Sequence, residues 1–293
     1  MAVMARAAGV AVRPITEADL PRVARFLQAN MNARVPVERW VGALDVPWTA
    51  ERPNLGFMLV EQDEVVGAHL AYYSTRTIGE RTERFCNLAA WCVLPAYRLH
   101  GLKLLKALLA QPDHHFTDLS PSGNVVRINT RLGFRQLDAA TALVPNLPWP
   151  SWPRRDVVVS SDPAVIEHLL TGPELGLFRD HAGAAAARHL VLADGDRRCY
   201  VVFRRDHWKR LPWFVSILHV SDPDLFRELR GRASRHLLLR HGALATLAED
   251  RIVRHRARLS LRIPAPRARM YLSESLEPEQ VDYLYSELTC LAW

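Results

Sequence analysis

The sequence predicts an α/β (α+β) fold in two successive lobes, each a sheet flanked by helices. Three observations carry this prediction. Residues 56–61 and 65–76 are β-rich runs separated only by Gln62, Asp63 and Glu64, which reads as an antiparallel hairpin. An apolar run over 88–93 stops at Pro95, which has no N–H for a ladder, and Leu102, Leu104, Leu105, Leu108 and Leu109 then recur on one helical face. Beyond a proline-rich stretch, the order helix, hairpin, strand, helix, strand of residues 16–119 returns over residues 162–248.

Composition narrows the class. A chain of 293 residues, 49% hydrophobic and 24% charged, is that of a globular protein with room for a sizeable core. No run reaches the roughly 18 apolar residues of a membrane helix, and residues 1–12 are too weakly apolar for a signal sequence. The expectation is a cytoplasmic protein that engages no membrane. Cys86, Cys92, Cys199 and Cys290 show no Cys-x-x-Cys pair, so neither a zinc site nor a disulfide framework is expected. The formal net charge of +7 raises nucleic acid as a partner. Basic and acidic residues are interspersed, however, and lysine occurs only at Lys103, Lys106 and Lys209. An anionic cofactor fits that excess better than nucleic acid does.

Taken in order, residues 10–13 form a short strand, and Thr16-Glu17-Ala18-Asp19 opens a helix with an acid at its third position. Leu20, Val23, Phe26 and Leu27 are its buried stripe. Residues 30–54 carry Trp40 and Trp48, which belong either to the core or to an acceptor pocket. In the hairpin, Gly67 suggests a bulge, and strand alternation puts His69 and Tyr73 on one face. His114, His115 and Asp118 do not make a metal site, because neighbouring strand residues point opposite ways. Ser120-Pro121-Ser122-Gly123-Asn124 opens a helix reaching about Leu132. Four prolines between residues 144 and 153 mark a stiff connector. The expected organisation is therefore a first domain over 1–143, a linker over 144–155 and a second α/β domain over 156–293. Near the end, Val281, Leu284, Tyr285 and Leu288 have the spacing of a helix over 278–291.

The stretch 92–109 concentrates the chemistry. A strand, a turn with Gly101 and a helix leave backbone N–H groups converging on one point, beside the cations Arg98 and Lys103. That arrangement suits a pyrophosphate, although an ordinary strand-to-helix connection has the same pattern. Val93-x-Pro95-x-Tyr97-Arg98-x-x-Gly101-x-Lys103 resembles the acyl-CoA-binding signature of the GCN5-related N-acetyltransferases. Arg131-Leu132-Gly133-Phe134 and the opening Val12 to Leu20 resemble two further segments of that family, in the same order. One departure is Lys103, where the family has a small residue.

The resemblance implies a mostly antiparallel sheet with a splayed central strand pair. It implies acetyl-CoA, or another acyl-CoA, held by Trp91, Cys92, Val93, Arg98, Leu99, His100, Gly101, Leu102 and Lys103. The acyl group would pass directly to an amine or hydroxyl of a small molecule or peptide. A freed strand N–H would stabilise the oxyanion. The family's thiolate-protonating tyrosine corresponds in position to Asn129, which has no suitable proton to give. Either His69, Tyr73 or Ser120 substitutes, or the thiolate leaves unaided, or the site has lost its chemistry. The last leaves open a catalytically inactive CoA-binding or scaffolding protein. The second half, with Asp222 and Asp224 at the corresponding turn, should repel a diphosphate and reads as a degenerate second lobe of this kind.

Overall fold

Two seven-stranded sheets carry the chain, and each borrows a strand from the other half. The computed structural model describes residues 9–48, 51–148, 156–208, 211–264 and 266–292. Its first part runs β1 (Ala11–Pro14), α1 (Leu20–Asn30), α2 (Val37–Leu44), β2 (Gly56–Glu61), β3 (Glu64–Ile78), β4 (Arg81–Val93), α3 (Arg98–Leu109), β5 (His115–Asp118), α4 (Gly123–Arg131), β6 (Arg135–Gln136) and β7 (Thr141–Pro145). The second part runs β8 (Val157–Ser160), α5 (Pro163–Leu169), α6 (Gly172–His181), β9 (Arg188–Asp194), β10 (Arg197–Trp208), β11 (Leu211–Val220), α7 (Pro223–His241), β12 (Ala245–Glu249), α8 (Asp250–Val253), β13 (Leu261–Arg262), β14 (Met270–Leu272) and α9 (Glu287–Cys290).

Local rules explain the opening. The Asp19 carboxylate accepts the Thr16 N–H and hydroxyl at 2.9 and 2.7 Å, closing the anticipated capping box in a short 3-10 turn before α1. Val23, Ala24, Phe26 and Leu27 are then buried on one face of α1.

The first sheet has the order β1-β2-β3-β4-β5-β14-β6 and the second β8-β9-β10-β11-β12-β7-β13. In each, four strands meander antiparallel, the fourth runs parallel to the fifth, and two antiparallel strands follow. The sixth place is filled by exchange. β14, from the end of the chain, lies between β5 and β6, while β7, from its middle, lies between β12 and β13. The expected boundary after residue 143 therefore cuts through β7. Val144 and Pro145 are paired strand rather than linker, and Asn146 is buried, donating through Nδ2 to the Ala243 carbonyl at 3.0 Å. Residues 149–155 of the expected linker lie outside the described residues.

The end of the chain also departs from expectation. In place of one helix over 278–291 there is a 3-10 turn (Pro278–Gln280), an extended segment and the single turn α9. Val281, Tyr283, Leu284, Tyr285, Leu288, Cys290 and Leu291 are all buried in a core shared by both lobes. A helix would bury one face, but a segment walled in on all sides buries every residue. Both sheets anchor this strap. Arg76 of β3 donates to Asp282 (2.6 Å) and the Leu284 carbonyl (2.9 Å), and Arg204 of β10 donates to the Leu288 and Leu291 carbonyls, each at 3.1 Å.

Candidate active site

The site begins with a misfit between two strands. β4 runs to Val93, but its parallel pairing with β5 stops at Leu88 and Asp118. Opposite, between the pairs Ala68–Cys92 and Leu70–Ala89, the register with β3 slips by one, so Ala90 and Trp91 together face His69. Ala90 takes φ = +50°, a left-handed geometry that a non-glycine residue adopts only under constraint. β4 thus turns away from β5 and leaves a cavity of about 240 Å³. His69, Leu88, Ala89, Ala90 and Trp91 form one side, and Asp118, Ser120, Pro121, Ser122 and Val125 the other, with Met31 at the rim.

α3 begins next to this gap. Its N-terminus carries no side-chain cap. Tyr97 N–H donates to the Leu94 carbonyl and Arg98 N–H to that of Pro95, and with Tyr97 as N-cap the first intrahelical bond comes from Gly101. Leu99 and His100 carry the other two amides of this first turn, while Gly101, Leu102 and Lys103 lie further inside the helix. Arg98, Leu99 and Lys103 are exposed on this first turn and the next. Gly101 makes no turn. A Cβ there would sit 3.4 Å from Val93 and 3.8 Å from the Trp91 ring, so the glycine lets α3 lie close on β4. The Trp91 ring also stacks on His69, 4.9 Å between centroids, and so links the helix to the cavity.

The other candidate residues separate. His69 is buried, burial pushes its pKa down to about 3, and its Nδ1 has no partner. It is a neutral imidazole at working pH, and a weaker base than a free histidine. Ser120 lies at the cavity wall. Tyr73 does not reach the cavity: four residues along a strand is about 13 Å, so sharing a face with His69 does not bring it near. Its hydroxyl is held by Asn54 (2.8 Å) and Gln111 (2.9 Å). Tyr73→Phe should lower the melting temperature by about 2 °C, through a hydrogen-bond loss of roughly 1 kcal/mol, and leave turnover unchanged. Thermal melts and initial rates check this. Asn129 is buried behind the cavity, and its Nδ2 donates to Asp118 Oδ2 at 2.8 Å.

Two carboxyls that the sequence did not single out complete the site. Asp118, at the end of β5, has its pKa pushed up to about 7, by burial first and by the nearby Glu287 charge second, with the hydrogen bonds from Asn129 and the Ser120 backbone opposing. Glu287 arrives on the strap. Ser120 Oγ donates to its Oε1 at 2.7 Å, and its own N–H donates to Asn87 Oδ1 at 3.2 Å. Among the described residues no group of three or more metal-ligating side chains occurs. The arrangement suits an anion at the α3 amides with an uncharged thioester in the gap, beside a carboxylic acid able to give a proton near neutral pH.

No protein-family description and no curated protein matches the sequence. Solved structures do match. A GCN5-related N-acetyltransferase from Anabaena variabilis superposes with a TM-score of 0.58 at 10% identity, over 90% of this chain and 72% of that one. One from Kribbella flavida gives 0.54 at 18% identity, over 90% and 70%. The chain has the fold of the GCN5-related N-acetyltransferases. Because the likeness extends over about 90% of the chain, it takes in both sheets of this acetyltransferase fold.

The second sheet repeats this layout, for the parallel pairing of β11 with β12 stops at Ser216 and Leu247 while β11 runs on to Val220. β11 carries a one-residue slip against β10 at Leu218, between the pairs Val202–His219 and Phe203–Ile217. The β11–α7 turn is short, and Asp222 caps α7 by accepting Leu225 N–H at 2.9 Å while pairing with Arg197 at 3.2 Å. An amide already taken and a fixed negative charge leave that helix end no use for a phosphate. The smaller cavity beside Leu218, about 130 Å³, is lined by Arg267 and Arg269, which are paired with Asp206 and Glu249.

Proposed function

We propose that the first lobe is an acyl-CoA-dependent acyltransferase, acetyl-CoA being the simplest donor, and that the second is a degenerate lobe without a CoA site. The observation that carries this reading is the bulge at Ala90, which places an open gap next to the uncapped start of α3. The Leu99 and His100 amides, with Arg98 and Lys103, receive the diphosphate. The pantetheine arm follows β4 past Trp91, Cys92 and Val93, and the thioester reaches the cavity between His69 and Ser120. A backbone N–H freed at the bulge stabilises the oxyanion, while the Asp118 carboxyl takes the part that Asn129 cannot and protonates the departing thiolate. The acceptor is a small molecule or peptide offering an amine or hydroxyl.

Calorimetry with acetyl-CoA tests this. The unmodified chain should bind, and Gly101→Ala should bind within about threefold, since a methyl group fits against Val93 at ordinary contact distance. Gly101→Leu should lift α3 off Trp91 and abolish binding. Failure of the unmodified chain to bind acetyl-CoA, or undiminished binding by Gly101→Leu, defeats the assignment.

A further inference from the structure

Four carboxylates are buried among the described residues: Asp118, Asp206, Glu249 and Glu287. Two are structural in an evident way, since Asp206 is paired with Arg267 at 2.8 Å and Glu249 with Arg269 at 3.3 Å. Among the described residues Asp118 and Glu287 form no ion pair and are held by hydrogen bonds alone, although a buried carboxylate is costly to the fold. They flank the same residue, for Asp118 lies two positions before Ser120 on the cavity wall and Glu287 accepts the Ser120 hydroxyl. The second Glu287 oxygen, Oε2, is buried without a partner. Two buried acids without a salt-bridge partner among the described residues, beside one cavity, are a pattern of chemistry rather than of packing.

We propose that Glu287, delivered by the C-terminal strap, is the proton acceptor of the first-lobe site and works through Ser120. This rests on the acyltransferase reading above. The acceptor nitrogen attacks the thioester carbon, the N–C bond forms, and the C–S bond breaks with its electron pair on sulfur. The proton leaving nitrogen passes to Ser120 Oγ as Ser120 hands its own to Glu287 Oε1. Asp118 supplies the proton that the thiolate takes. The pair thus holds one proton before and after the step, first on Asp118 and then on Glu287. Such sharing is what two carboxyls in one dry site favour, since both cannot easily be charged together.

The surroundings agree in sign. Burial raises the Glu287 pKa, while the Ser120 hydrogen bond and the charges of Arg269, just before β14, and Arg204, on β10, lower it. Asp118 from β5, Tyr72 from β3 and Cys290 on the same helical turn face it as well. Because the strap is gripped by Arg76 and Arg204, one from each sheet, the first-lobe site is complete only when the second lobe is folded. Glu287 is accordingly a positioning and relay residue that does not itself touch the substrate.

The test is Glu287→Gln, which keeps an oxygen for Ser120 to donate to but cannot take its proton. The assay is thiol release from acetyl-CoA with ethanolamine as the probe acceptor. The expected result is a fall in kcat of about a hundredfold, with KM for acetyl-CoA within twofold and loss of the rise in rate with pH on the acidic side. A merely structural Glu287 would leave the shape of the pH profile intact. A kcat within twofold of the unmodified chain and an unchanged profile overturn the proposal. If Glu287→Gln fails to fold, Ser120→Ala, at an exposed position, breaks the relay from its outer end and must lose the same acidic limb. Calorimetry separates the two readings. Absent acetyl-CoA binding by the unmodified chain defeats both, whereas normal binding with an unimpaired Glu287→Gln defeats the relay alone.

Discussion

A chain ending after Arg262 should lose its first sheet as well as its last residues. It lacks β14, so β5 and β6 lose the strand that joins them. It also lacks Met270, Tyr271, Leu276, Val281, Tyr283, Leu284, Tyr285, Leu288 and Leu291, all nearly inaccessible to solvent. At about 1.5–3 kcal/mol for each buried apolar side chain, the loss is as large as the 5–15 kcal/mol that typically holds a domain folded, or larger. Arg76 and Arg204 are left as buried cations without the carbonyls they serve. The truncated protein should therefore show no cooperative thermal transition, bind a hydrophobic dye and bind no acetyl-CoA, although every residue of the α3 site is present. A sharp melt within a few degrees of the full chain would show that the exchanged strand and strap are dispensable. Residues 9–148 expressed alone should fail for the same reason.

This dependence between the halves is the part of the fold hidden from the sequence. The start of α3 is legible because its determinants are local, a proline that stops a strand and a leucine stripe, although Gly101, expected in the turn, lies within the helix. The repeat of element order is legible too, since each hairpin and helix has its own periodicity. Strand exchange has no such signature. Thr141–Pro145 and Met270–Leu272 are too short for alternation to select a partner, and their places are decided by which sheet has a gap beside its fifth strand. The strap misleads for a related reason. Val281, Leu284, Tyr285 and Leu288 fit a helical stripe, but the alternative of burial on every side leaves the same spacing in a sequence.

The site is half legible. The strand end at Val93 and the helix start at Arg98 are read from the pattern itself, whereas Ser120 enters only through the resemblance. In the sequence Asp118 enters only in a metal grouping with two histidines that strand geometry rejects, and Glu287 falls inside the expected helix. One signal is present: Glu287 sits between Tyr285 and Leu288 of the expected packing stripe, where an acid is exposed, ion-paired or functional. Tyr73 misleads because strand alternation fixes a face but not a position along it.

Asp118→Asn should make the protein more stable and nearly inactive. The fold raises the Asp118 pKa from 3.8 to about 7, so the folded state favours the neutral carboxyl. The stabilising share of this group is full below about pH 4 and is lost as pH rises through about 7, each tenfold gain in proton affinity being worth on the order of 1.4 kcal/mol. An asparagine carries no charge at any of these pH values and can still accept the Asn129 hydrogen bond. The melting temperatures of the two proteins should accordingly coincide near pH 4 and diverge by pH 8, with the variant the higher by a few kcal/mol in stability. Turnover should move the other way, falling by about a hundredfold or more as the thiolate loses its acid. In the unmodified chain, the rate should decline as pH rises through about 7 and the Asp118 proton is lost. Gain of stability with loss of function at one residue is how a group held against its own preference for catalysis differs from one held for packing. A variant less stable at pH 8, or one that turns over at the unmodified rate, would mean that Asp118 serves the fold and that the thiolate leaves without its help.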